Sequence, residues 1–486
     1  MLDKINLEKK MSKKEFDERM APLEIRFGEL QRECREAGIP IVILFEGFGA
    51  AGKGTMINRL IRPLDPRGFQ VFTIGKESKN EKMHPYLWRF TTKIPAKGRM
   101  HIFDRSWYQG IVEDDRLTCD EIIQFEEQFT DDKLVLIKCF LHISKKEQKK
   151  RFEGLESNKE TKWRVTKKDW EHNREYNKYL QRFDDMLIQT DTANAPWTVV
   201  EATDRQYAAC KIMTTIVERL EEALRAAKVE KEVKSESEFL ANSVISGFAN
   251  GVLNGIDLSL ELTPEEYKKR KKILQSRLSL LHSKMYQQRV PVVLAFEGWD
   301  AGGKGGAIKR ITECIDPRGY QVVPIASPNE VEKSHHYLWR FWEHIPKAGH
   351  MTIFDRTWYG RVLVERVEGF AAKEEWKRAY QEINNMEEHL AKSGYIVLKF
   401  WMHIDKGEQE KRFKLREETP EKRWKITDED WRNREKWDEY EKAVDEMIVR
   451  TSTSYAPWII VEANSKLYAR IKVLETVVEA LERVLK

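Results

Sequence analysis

One sequence design appears twice in this chain, and that limits its folds more than any bulk property. Glu46-Gly-Phe-Gly-Ala-Ala-Gly-Lys-Gly54 returns as Glu297-Gly-Trp-Asp-Ala-Gly-Gly-Lys-Gly305, an offset of 304 − 53 = 251. At the same offset Asp65-Pro-Arg-Gly68 returns as Asp316-Pro-Arg-Gly319, and Phe103-Asp-Arg-Ser-Trp-Tyr108 as Phe354-Asp-Arg-Thr-Trp-Tyr359. Further on the offset is 424 − 163 = 261, pairing Trp163 with Trp424 and Trp170 with Trp431. The second copy therefore holds a net insertion of 261 − 251 = 10 residues between Tyr359 and Trp424. Solenoid repeats run about 20–50 residues, so a period this long means two homologous domains. We read a first domain over 1–228, a linker or tether over 229–258 and a second domain over 259–486. Within the middle segment, Val229–Glu238 reads as an exposed charged linker and Phe239–Asp257 as a tether packed on a domain surface.

Each copy runs in the same order. A charged helical segment comes first, such as Thr263–Gln288, where Thr263 and Glu266 can form a capping box. A buried strand follows (Pro40–Phe45, Pro291–Phe296), then a glycine-rich turn and a helix ending near Asp-Pro-Arg-Gly. A short strand ends at Asp104 or Asp355, and an apolar strand covers Leu134–Ile143 or Tyr395–Ile404. Trp437, Tyr440, Val444, Met447 and Ile448 then recur at helical spacing. A last strand (Trp197–Val200, Trp458–Val461) precedes a closing helix. Alternating strands and helices predict an α/β fold with a parallel sheet covered on both faces.

Hydrophobic residues make up 41% of the 486, enough for packed cores and against disorder. Lys and Arg number 85 against 80 Asp and Glu, too balanced for a chain that coats nucleic acid, so no nucleic-acid partner is expected. No apolar run reaches the ~18 residues of a membrane span, and the first ten residues lack a signal-peptide core, so no membrane partner is expected. Five scattered cysteines, with no Cys-x-x-Cys, suit a reducing, cytoplasmic setting.

The chemistry starts at the glycines. Gly298-x4-Gly303-Lys304 and Gly47-x4-Gly52-Lys53 match the core of a phosphate-binding loop, each after a strand and opening a helix. Glycines let backbone N–H groups converge on phosphate oxygens, the helix N-terminus adds its dipole, and lysine supplies a mobile charge. Gly54 in one copy, and Gly305 followed by Gly306 in the other, replace the hydroxyl residue that commonly holds Mg²⁺. Either a hydroxyl comes from elsewhere or a carboxylate takes over. Asp300 in the loop and Asp355 at a strand end are the candidate ligands for Mg²⁺, with Mn²⁺ as the alternative. Arg356, Arg361 and the pair Glu365-Arg366 follow, and arginines at such an edge clamp phosphates. Lys333, His335 and His336 are candidate polar contacts for a substrate. Gln409-Glu-Lys-Arg-Phe413, Arg416 and Arg423-Trp-Lys425 form a basic stretch suited to a lid. The plain alternatives are a tight turn, a helix cap, an ion-pair network and a solvated face.

The copies are not chemically equal. Gly49 stands for Asp300, Gly110 for Arg361, and Asp114-Asp115 for Glu365-Arg366, while Lys53, Asp104 and Arg105 persist. Added negative charge opposes a polyanion. The second copy is therefore expected to do the chemistry, and the first to be structural or regulatory.

Glu297-Gly-Trp-Asp-Ala-Gly-Gly-Lys-Gly-Gly306, Tyr337-Leu-Trp-Arg-Phe-Trp342, Phe354-Asp-Arg-Thr-Trp-Tyr-Gly-Arg361, Val364-Glu-Arg-Val-Glu-Gly-Phe370 and Trp431-Arg-Asn-Arg-Glu-Lys-Trp437 resemble the polyphosphate kinase 2 family. The tandem arrangement resembles its two-domain class, which moves a phosphoryl group from inorganic polyphosphate to AMP. The resemblance implies tandem thymidylate-kinase-like P-loop kinase domains, three-layer α/β/α with helical lids, and Mg²⁺-dependent formation of ADP. It implies that Asp300 and Asp355 organise metal and accepting phosphate, and that Lys304, Arg356 and Glu365, with Arg361, line the phosphate path. Arg412, Arg416 and Arg423 would belong to the lid. Two competing readings are an ATP-dependent nucleoside monophosphate kinase and a non-catalytic polyanion-binding protein. AMP against ADP or GMP, direction, polymer length and oligomeric state stay open, a homo-oligomer included.

Overall fold

The computed structural model describes residues 1–113, 115–237, 251–419 and 428–485. They fall into two compact units. One comprises Met1–Glu77, Arg89–Ser243 and Glu330–His336; the other comprises Ser78–Trp88, Val244–Asn329 and Tyr337–Lys486.

In the first unit the order is α1 (Lys13–Glu36), β1 (Ile41–Gly47), α2 (Lys53–Leu60), β2 (Phe69–Thr73), β3 (Met100–Asp104), α3 (Cys119–Thr130) and β4 (Val135–His142). There follow α4 (Lys145–Glu156), α5 (Lys167–Arg174), α6 (Tyr176–Gln189), β5 (Trp197–Glu201) and α7 (Arg205–Ser237). The second unit repeats it with α8 (Pro264–Gln288), β6 (Val292–Gly298), α9 (Lys304–Thr312), β7 (Tyr320–Pro324), β8 (Met351–Asp355), α10 (Lys373–Lys392) and β9 (Ile396–His403). It closes with α11 (Lys406–Glu418), α12 (Asp428–Glu435), α13 (Trp437–Thr451), β10 (Trp458–Glu462) and α14 (Lys466–Val484). Local chemistry sets the starts: Ser12 caps α1 at Glu15 N–H, and Thr263 and Glu266 form the expected capping box on α8.

Both sheets are parallel throughout, in the orders β2-β3-β1-β4-β5 and β7-β8-β6-β9-β10. The central strands β1 and β6 are buried on both faces, as helices above and below require. Each glycine loop leaves the central strand at the sheet's C-terminal edge, where the strand order reverses and ligands of open α/β sheets bind. The registers Phe45↔Asp104 and Phe296↔Asp355 seat the strand-end aspartates beside the loops.

The sequence reading omits β2 and β7. Each pairs on one side only, and Phe69-Gln-Val-Phe-Thr73 is half exposed, so no apolar run announces it. The segment expected as an exposed linker, Val229–Glu238, is instead helical as far as Ser237, because α7 continues to that residue. At its other end Leu253 is buried in the second core and its N–H donates to Asp445 Oδ1 (3.1 Å). Leu2 N–H donates to Asp184 Oδ1 in the same way (2.6 Å), so the repeat itself reaches back to Leu2 and Leu253, 253 − 2 = 251. The rest of the expected tether, 238–250, lies outside the described residues.

The ten-residue insertion resolves into two parts. Thr118 and Ala372, just before α3 and α10, differ by 372 − 118 = 254; Glu126 and Glu387 inside those helices differ by 387 − 126 = 261. Three residues thus enter before the helix and seven within it. Seven residues are two turns less about 20°, so the helix lengthens without turning its buried face.

Candidate active site

The loop conformation demands its glycines at two places. Gly298 has φ 145°, and a Cβ there would stand 2.6 Å from Met402 O of β9; Gly303 has φ 109° at the N-terminus of α9. Gly305 is different: among the described residues, its own helix and chain neighbours aside, no atom lies within 4 Å of where its Cβ would stand. Lys304 folds back so that Nζ donates to Gly298 O (2.7 Å) and Trp299 O (3.5 Å).

Asp300 sits on the loop and Arg356 just past β8. Arg356 has φ 65°, an unusual conformation for a side-chain-bearing residue, held by its N–H bond to Phe296 O (3.0 Å). Its Nη2 donates to Asp300 Oδ1 (3.3 Å), and Asn433 Nδ2 of α12 donates to Asp300 Oδ2 (3.2 Å). Beneath them Glu297 is buried and accepts both the N–H (2.7 Å) and the hydroxyl (2.8 Å) of Thr357. Burial raises its pKa against the pull of Lys304 and Thr357. Trp299 stacks on Trp437 of α13 at 3.7 Å, and its indole N–H donates to His403 Nδ1 (3.1 Å).

The structure brings Asp300, Lys304, Asp355, Arg356 and the loop glycines to one edge. Arg361 and Glu365 pair with each other (3.1 Å), and Arg361 lies over the Tyr337 ring at 4.5 Å. Arg366 is taken up structurally, bonded to Tyr380 OH (2.8 Å) and Glu446 (2.8 Å).

The expectations for Arg412 and His336 change. Arg412 is not on a lid: it is 4% exposed, and it donates to Ala301 O (2.8 Å), Ala463 O (2.6 Å), Asn464 O (2.9 Å) and Glu408 (2.6 Å). It braces the glycine loop from α11, aided by Gln409, whose Nε2 donates to Asp300 O (3.2 Å). His336 is no substrate contact for the second copy, since it packs edge-on against Phe129 in the first unit. Lys333 pairs with Glu330 (2.9 Å), and His335 Nδ1 bonds Val331 O (2.9 Å). Arg416 is half-buried on α11, and Arg423 lies outside the described residues, as does Asp114. Sequence reasoning missed Asn433, although it sits inside a quoted motif, and Glu297, which recurs as Glu46.

Among the described residues no group of three or more His, Cys, Asp or Glu is placed to hold a metal ion. Two carboxylates, Asp300 and Asp355, are hard oxygen donors that leave the other positions to phosphate oxygens and water, a donor set that fits Mg²⁺. No helix among the described residues is long and apolar enough to cross a membrane.

A model of the polyphosphate kinase 2 family matches residues 10–228 and again 261–486. A polyphosphate:AMP phosphotransferase of Pseudomonas aeruginosa is 43% identical over 479 residues, 96% of this chain and 95% of that protein. One of Acinetobacter johnsonii is 36% identical over 91% of each chain. An NDP-polyphosphate phosphotransferase of Ruegeria pomeroyi is 36% identical over 46% of this chain and 74% of its own length. The crystal structure of a polyphosphate kinase 2 from Pseudomonas aeruginosa superposes with a TM-score of 0.87 at 38% identity, covering 100% of this chain and 99% of that one. Two family matches, one on each repeat, and relatives aligned over nearly their full length place this chain in the polyphosphate kinase 2 family.

Proposed function

We propose that the chain transfers the terminal phosphoryl group of inorganic polyphosphate to AMP, giving ADP, at the second repeat. The observation that carries this reading is the Asp300–Arg356 pair over the Lys304 loop, present in the second repeat and impossible in the first, where residue 49 is glycine. The names of the full-length relatives supply the donor and the acceptor.

The terminal P–O bond of the phosphoanhydride breaks, and a phosphate oxygen of AMP forms the new one. The shortened polymer leaves with the bonding pair. Such a transition state is loose, so catalysis is mainly positioning and charge neutralisation. Lys304 and the loop N–H groups meet the donor oxygens, and Arg356 takes charge developing beside them. The AMP phosphate is already ionised, so no general base is needed, and Asp300 serves to orient. Mg²⁺, held by Asp300 and Asp355, would neutralise phosphate oxygens. A cytoplasmic location is supported by five free cysteines.

The test is ADP formed from AMP and polyphosphate, with ATP as the control donor. Asp300→Asn and Lys304→Ala are each expected to lower kcat by about 10²–10³, and Lys53→Ala to leave it near the wild-type value. Full activity in the first two, or loss confined to the third, overturns the assignment to the second repeat.

A further inference from the structure

The first repeat keeps one half of this site intact. Gly52 has φ 107° where Gly303 has 109°. Lys53 Nζ donates to Gly47 O (2.8 Å) and Phe48 O (3.1 Å), as Lys304 does to its own loop. Arg105, at φ 66°, donates its N–H to Phe45 O (3.0 Å), as Arg356 does to Phe296 O. Arg151 braces the loop through Ala50 O, Ala202 O and Thr203 O, the counterparts of the three carbonyls that Arg412 holds, and adds a bond to Ala51 O.

What is missing is the loop carboxylate. Gly49 removes the partner that Arg356 has in Asp300, and among the described residues no carboxylate lies within 4.0 Å of the charged nitrogens of Lys53 or Arg105. Lys53 is only 8% exposed, and burial, then the charge of Arg105, lowers its pKa. Asp104, Glu46 and Asp169 act on Lys53 from longer range in the opposite sense. Glu46 is pushed toward its neutral form by burial and accepts from Ser106 Oγ (2.8 Å), while Asp169 caps α5 at Thr166. A desolvated ammonium beside a guanidinium, neither paired with a carboxylate of the described residues, is an unfavourable arrangement that a bound anion relieves. The acceptor side is reduced as well: Gly110 replaces Arg361, and α3 is two turns shorter than α10.

We propose that the loop of the first repeat is a second, non-transferring site for a phosphate chain, held by Lys53, Arg105 and the N-terminus of α2. Its occupant is the inorganic polyphosphate that the second repeat uses as donor, so the ligand's identity rests on the function proposed above, whereas the anion site does not.

The test is calorimetric titration of the full chain with tripolyphosphate in the absence of AMP. Wild type is expected to take up two equivalents. Arg105→Gly removes the cation and also suits the left-handed backbone, so the variant should fold normally. It and Lys53→Met are each expected to lose one equivalent or weaken it at least about tenfold. Lys304→Met should lose the other and leave the first-repeat site unchanged. Uptake in Arg105→Gly and Lys53→Met identical to wild type overturns the proposal, as does loss of all binding in Lys304→Met. Parallel titrations with inorganic phosphate and AMP separate the sources: if either fills the first site as tightly as tripolyphosphate, the assignment to a polymer fails. Two-site binding by a protein that forms no ADP would sink the proposed function and leave this site standing.

Discussion

Arg412 illustrates what a residue's neighbours along the chain do and do not reveal. Asp300, Lys304, Asp355 and Arg356 are legible because each lies next to a glycine loop or a strand end, where closeness in sequence is closeness in space. Arg412 lies mid-helix, and its basic surroundings suggest a mobile surface, while its donors in fact turn inward to three carbonyl groups. Helical spacing cannot distinguish these cases, since an arginine bonded to backbone leaves no partner residue to read. The two roles predict different phenotypes. Arg412→Ala leaves Glu408 and three carbonyls without their donor, which costs about 3 kcal/mol or more of stability. It also frees the loop that carries Asp300, so kcat falls by about tenfold or more, a 1 Å misplacement being worth up to 10². Urea unfolding monitored beside ADP formation checks both. A lid arginine would lower kcat and leave the unfolding midpoint where it is.

At the level of elements, the strands with continuous apolar runs are legible and the edge strands are not. The repeat also shows in sequence that ten residues are inserted, but only the structure divides them into three before α10 and seven within it. The helical period explains the seven. Glu387 must reach Lys399 Nζ (2.7 Å), the Tyr359 hydroxyl (2.8 Å) and the Trp358 indole (3.1 Å), in a network with almost no solvent exposure. Glu126 makes the same bonds to Lys138, Tyr108 and Trp107 from the shorter α3. Burial raises the pKa of Glu387 and lowers that of Lys399, so the ion pair survives only in this geometry. Deleting Trp376–Glu382, seven residues, is therefore expected to give a cooperatively folding chain, because Glu387 stays within about 20° of its direction. Deleting five, Trp376–Tyr380, turns it by about 140° and strands a buried charge. Calorimetry should show the second unit's transition kept in the first deletion and lost in the second.

Across the whole molecule, one scaffold occurs twice with different residues at its loop, and the shared parts are those the fold needs. The repeat, the α/β order and the asymmetry of the sites are legible in sequence, because each is a matter of residue identity at a fixed offset. The shared buried histidines are not, since a single histidine on a strand says nothing of its surroundings. His142 ends β4 and His403 ends β9; burial lowers both pKa values from 6.5 to about 4. Both must be neutral in the native chain, and His403 Nδ1 accepts from the indole of Trp299, so protonating it opposes the contact that steadies the glycine loop. The unfolded chain takes up these protons first as pH falls below about 6.5. Stability from each neutral imidazole is therefore complete above that pH and drains away down to about 4, by about 3 kcal/mol per histidine at 1.36 kcal/mol per pKa unit. His142→Phe and His403→Gln, the second keeping an acceptor for Trp299, are expected to flatten this acid limb, each in its own unit. Melting temperatures measured from pH 7 down to pH 4 decide the matter: variants that lose stability with acid as steeply as wild type would mean that other groups drive the transition, and that the glycine loop does not depend on a neutral His403.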